Sequence, residues 1–140
     1  MRYLLDTCLI SELLKREPHS SVLNWLDKQD ENSLYLSALT LGELQKGVSK
    51  LPEDKRKSDL QSWVNNNLCT RFEGRILPID VEVASAWGTL LGNSERRGKK
   101  LPVMDSLIAS TAAVHNLTVV TRNIRDMQQC QAKVFNPWEV

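Results

Sequence analysis

The chain has 140 residues, 41% hydrophobic and 25% charged, with a net charge of +1; that size suits a single domain over residues 1–140 that buries a core unaided. Near-neutral charge excludes a globally basic nucleic-acid binder, so any polyanion contact must come from a local patch. Three dispersed cysteines without a CxxC pair, no leader-like segment and no apolar run near the ~20 residues of a membrane span argue against a disulfide framework, structural zinc, secretion and membrane insertion, and a cytoplasmic protein is expected.

In chain order, "RYLL" (2–5) reads as a short buried strand that runs into Asp6. "CLISELL" (8–14) follows as a helix, and Ser20–Ser21 are placed to cap a second, "VLNWLDKQ" (22–29). "LYLS" (34–37) is the next strand. In "LTLGELQKGVSKL", Leu44, Val48 and Leu51 recur at helical spacing, and Thr40 with Glu43 fits a capping box. Pro52 suits the first turn of a helix through "DLQSWVNNNL". "RIL" (75–77) is a third strand, and Asp80 is placed to cap a long helix over 81–96. Pro102 opens a helix over 103–116; "TVVT" (118–121) and a weaker "KVF" (133–135) complete the strands. Strands without strict polar alternation, separated by helices, predict an α/β fold with a parallel sheet of four to five strands flanked by helices. Such sheets bind ligands at the carboxyl ends of their strands, where Asp6 falls.

Four positions carry polar groups just after a strand or at a helix start: Asp6, Glu43, Asp105 and the stretch from Thr121 through Asn123 to Asp126. Each has an ordinary structural use. Asp6 can be a helix cap, Glu43 the closing residue of a capping box, Asp105 a complement to a helix dipole, Asn123 a turn residue and Asp126 a solvated charge or cap. Taken together and in order, "LLDTCLISEL", "LTLGELQKG", "LPVMDSLIASTA", "VVTRNIRDM" and "VFNPWEV" resemble the PIN-domain ribonucleases, in particular the VapC and FitB-like toxins of bacterial toxin–antitoxin pairs.

The resemblance implies a three-layer fold with sheet order 3-2-1-4-5 and a metal-dependent endoribonuclease that hydrolyses RNA phosphodiester bonds. It implies a cofactor, Mg2+ or Mn2+, held by Asp6, Glu43 and Asp105. Asn123 stands where the family has a fourth acid, so Asn123, Asp126 or a bridging water completes the catalytic set. Thr7, Ser11 and Thr121 match supporting polar positions. The resemblance further implies a homodimer, a cognate VapB/FitA-like antitoxin, and contact with DNA only through the antitoxin complex.

Oxygen donors suit a hard divalent cation, and clustered carboxylates approach a phosphodiester only when a cation offsets their charge. No His or Cys cluster competes; His19 and His115 read as structural or solvent-facing. RNA-binding candidates are Arg96, Arg97, Lys99 and Lys100 in "RRGKK", with Arg122 and Arg125 beside Asn123. The four tryptophans read as core or interface. Two rival readings remain. One is another α/β phosphohydrolase: a haloacid-dehalogenase-type enzyme, whose second Asp would fall at Cys8, or a receiver domain using Asp80. The other is a catalytically weakened PIN scaffold that only binds RNA or a partner.

Overall fold

The computed structural model describes residues 1–140. Its centre is a five-stranded sheet of β1 (Tyr3–Leu5), β2 (Leu34–Ser37), β3 (Ile76–Leu77), β4 (Thr118–Val120) and β5 (Val134–Phe135). The strand order is β3-β2-β1-β4-β5 and every pairing is parallel, as the sequence predicts. Leu4 faces Val119 and Leu5 faces Val120 in the central pair. Alternate residues leave on opposite faces. Leu5, Leu36 and Val120 therefore join one apolar cluster, with Leu9, Ile10, Val22 and Leu44. Leu4 and Val119 join the other, with Ile108, Ala109, Ala112 and Met127. Covering both faces explains why these strands lack a polar side.

The helices are α1 (Thr7–Leu13), α2 (Ser20–Asp27), α3 (Ala38–Ser49), α4 (Lys55–Ser62), α5 (Cys69–Arg71), α6 (Val81–Arg96), α7 (Val103–His115) and α8 (Ile124–Gln129). Three starts differ from expectation. His19, not the Ser20–Ser21 pair, caps α2, its Nδ1 accepting the Ser21 amide at 3.2 Å. Pro52 lies outside α4, which Asp54 caps through the Lys57 amide at 3.0 Å. The chain then widens into a π-helical stretch, Trp63–Leu68, before α5. The third difference bears on the site. Ser37 caps α3 by accepting the Leu39 amide at 3.1 Å, so Thr40 lies buried within the helix and no Thr40–Glu43 capping box forms. A strand that ends on a Ser lets the helix begin at once, its cap three residues before the one the sequence signals.

β1 is the switch point: the chain moves outward through β2 and β3, then returns to build β4 and β5 on the other side. The carboxyl ends of β1, β2 and β4 open there onto a shared crevice. No helix is long and apolar enough to cross a membrane.

Candidate active site

Asp6 leaves β1 as the N-cap of α1 and is only 6% exposed. Its Oδ1 accepts the Thr7 amide at 2.8 Å, and its Oδ2 accepts the Thr121 hydroxyl at 2.8 Å. The Cys8 thiol also reaches Oδ2, at 3.7 Å, so Asp6 is both a cap and a corner of the crevice. Thr121, fully buried, also accepts the Asn123 amide at 2.9 Å, which shapes the turn after β4. Glu43 sits on the second turn of α3 and accepts the Thr7 hydroxyl at 2.6 Å. Thr40 Oγ1 stands 3.2 Å from the same Thr7 oxygen. Thr7 and Thr121 thus orient two acids that belong to different strands.

Asp105 lies in the first turn of α7 and is half-buried, with no hydrogen-bonding or ion-pair partner for its carboxylate. Burial raises its pKa, and the negative charges of Asp6, Asp126 and Glu43 raise it further. Asn123 caps no helix with its side chain although it precedes α8, so its amide is not spent on local structure.

Asp6, Thr7, Ser11, Glu43, Asp105, Arg122 and Asn123 line a single cleft of about 440 Å³. Asp126 does not line it and acts on Asp105 through its charge. Arg125 is exposed outside it. Arg96 and Arg97 border a separate depression with Asn93. Lys99 and Lys100 are exposed away from the cleft, where Gly98 (φ 77°) turns the chain out of α6. A larger recess of about 780 Å³ runs beside α1, α2 and the π-helical stretch and is mostly apolar. The acids singled out from the sequence line the smaller cleft instead.

The donor set is all oxygen, which suits a hard divalent cation, and the unpartnered Asp105 has a charge still to be offset. No three His, Cys, Asp or Glu side chains converge on one point in the arrangement described. Asp6 and Glu43 are each held by a threonine hydroxyl.

Glu12 was not evident as a site residue. It is 4% exposed, and its carboxylate accepts Lys15 Nζ at 3.0 Å, the His19 amide at 3.0 Å and the Trp138 indole N–H at 3.1 Å. Burial pushes its pKa up, but these donors outweigh it and hold the carboxyl down at about 2. The one local signal was its spacing: Glu12 falls three residues after Leu9, on the buried face of α1. Cys8 also lines the cleft, its thiol pKa raised by burial and by Asp6. Trp138 lines it too, whereas Trp25 packs against Tyr3 and Phe135 in the core. The Trp87 indole donates to Ser106 Oγ at 2.9 Å.

The PIN domain family model matches residues 3–131. Among curated relatives, the VapC ribonuclease Y4jK of Sinorhizobium fredii is 36% identical over 96% of this chain and 96% of its own length. Toxin FitB of Neisseria gonorrhoeae is 39% identical over 96% of this chain and 97% of its own. The solved structure of FitAB bound to an IR36 DNA fragment matches with a TM-score of 0.92 at 37% identity, covering 99% of this chain and 96% of that one. With its sheet order, its crevice of acids and these relatives in agreement, the chain belongs to the PIN-domain family, among the VapC and FitB-like members.

Proposed function

We propose that residues 1–140 act as one PIN domain that hydrolyses RNA phosphodiester bonds with magnesium or manganese, as the toxin of a toxin–antitoxin pair. The observation that carries this reading is the meeting of Asp6, Glu43, Asp105 and Asn123 in one cleft at the strand ends, with Asp105 unpartnered. A bound divalent cation would offset the phosphodiester's charge and acidify a water for in-line attack. The chain's own contribution is placement. Thr121 and the Thr7 amide fix both oxygens of Asp6, and the Thr7 hydroxyl fixes Glu43. Asn123 supplies an uncharged oxygen where a fourth acid would add repulsion.

The FitAB and VapC relatives support a FitA/VapB-like antitoxin as partner, and DNA contact through that complex. The homodimer belongs to the same reading. Arg122 would contact RNA at the cleft, and the Arg96–Lys100 turn and Arg125 would do so only outside it. The phosphohydrolase reading loses its footing: Asp80 is occupied as the cap of α6, accepting the Val83 amide at 3.0 Å, and Cys8 stands where a second phosphatase acid is needed; the weakened-scaffold reading is separated by the cleavage test. The test is cleavage of single-stranded RNA by the purified protein with magnesium or manganese, with chelator and Asp6→Asn as controls. Cleavage that survives both controls would defeat the reading.

A further inference from the structure

One side of the cleft is built from cations rather than acids. Lys15 and Arg122 both line it, and both are tied to the buried Glu12. Glu12 Oε1 is already taken by Lys15 at 3.0 Å and by the Trp138 indole at 3.1 Å. Arg122 Nη2 stands 3.8 Å from that oxygen, beyond hydrogen-bond distance, so its donors stay unspent. The Arg122 guanidinium carbon instead sits 4.5 Å from the centre of the Trp138 ring. Trp138 is 9% exposed while Arg122 is 52% exposed. A guanidinium stacked on a fixed ring keeps its in-plane N–H groups for a ligand, and that planar fork matches a phosphate.

We infer that Lys15 and Arg122 form a phosphate-holding arm beside the acidic centre, with Glu12 and Trp138 as the positioning residues that carry it. Three distant parts of the chain meet to build it: α1, the turn after β4, and the C-terminal turn Pro137–Glu139. One carboxylate against two cations leaves the cluster net positive within an otherwise acidic cleft. The inference rests on the RNA reading for its ligand, a backbone phosphate of single-stranded RNA next to the bond that is cut.

The test follows fluorescence anisotropy of a labelled single-stranded oligoribonucleotide with the full chain, calcium replacing magnesium as a hard oxygen-bound cation so that the RNA stays intact, across a range of salt. Lys15→Ala and Arg122→Ala each alter an exposed side chain. Each should weaken binding about tenfold at low salt, the worth of one charge-assisted hydrogen bond. Each should also reduce the salt slope by about 0.7, as for one lost phosphate contact on a single strand. Trp138→Leu removes the platform and should weaken binding as Arg122→Ala does. Trp138→Phe keeps a ring and should recover most of the loss. The Trp138→Leu/Arg122→Ala pair should bind no worse than Arg122→Ala alone; additive losses would overturn the platform role. Unchanged affinity and slope in both cation variants, or no binding by the unaltered protein, would overturn the arm. Cleavage of the same RNA is scored separately. Binding without cleavage, with the slopes falling, leaves the arm standing and defeats the nuclease reading; cleavage with unchanged slopes does the reverse.

Discussion

Glu12 and Asp105 border the same cleft, yet their surroundings are opposite. Glu12 is the more buried and receives three hydrogen bonds, which hold its carboxyl down at about 2. Asp105 is more open but receives none; burial and three neighbouring acids push it up. One carboxylate is satisfied by the protein and stabilises it. The other is left dissatisfied, a cost to the fold that an external cation can relieve. Burial alone therefore does not mark a functional acid; unmet charge does.

The largest expected effect breaks this contrast at Asp105. Asp105→Asn should lower RNA cleavage by at least about 100-fold, since even residues behind a metal ligand cost 10–100-fold. Its melting temperature should nonetheless rise, because a carboxylate with a raised pKa in the folded state subtracts stability wherever it is ionised. Cleavage kinetics and a thermal melt of the same sample check both halves.

Glu12→Gln attacks the other side. Removing the charge while three donors still converge should cost about 2 kcal/mol, seen as a lower midpoint in urea. The pH dependence sharpens it. A depressed carboxyl adds stability above its ordinary value near 4.5, and that stability is lost as pH falls toward about 2. Wild type should therefore lose stability more steeply than Glu12→Gln across that window. Parallel curves would mean that the Glu12 network adds nothing.

Thr7→Val tests whether placement of the cleft acids depends on single hydroxyls. It removes the donor that holds Glu43 at 2.6 Å and keeps the side chain's shape. Cleavage should fall about tenfold, while stability changes by only about 1 kcal/mol. The smallest effect is expected far from either acid. Replacing Arg96, Arg97, Lys99 and Lys100 together by Ser should leave the cleavage rate at saturating RNA near wild type. Only a modest flattening of the salt dependence of binding is expected. A drop in that rate would place this turn against the reacting phosphate.

The sequence was most legible where one local pattern has one structural solution. Short apolar runs such as "LYLS" became buried strands because neither face offers water a polar side chain, and alternation with helices makes the sheet parallel. The Glu43 environment was less legible. Thr40 and Glu43 have the spacing of a capping box, and only the early start of α3 from Ser37 shows that the pair lies mid-helix. The acid is then free to face Thr7.

By itself the sequence determined the order of the five strands and of the helices α1–α3, α6 and α7, the two-faced apolar strands and the family motif that orders Asp6, Glu43, Asp105 and Asn123, but not α5, α8 or the π-helical stretch. Tertiary structure alone decided which charges meet. Glu12 and Trp138 are 126 positions apart, and Asp6 and Thr121 are 115 apart. Their hydrogen bonds exist because β1 and β4 pair in register and the C-terminal turn folds back onto α1. Helix and strand signals depend on neighbours a few residues away, so a sequence displays them. Whether a carboxylate is answered by a donor or left facing other acids depends on groups that only the closed fold brings within a few ångströms.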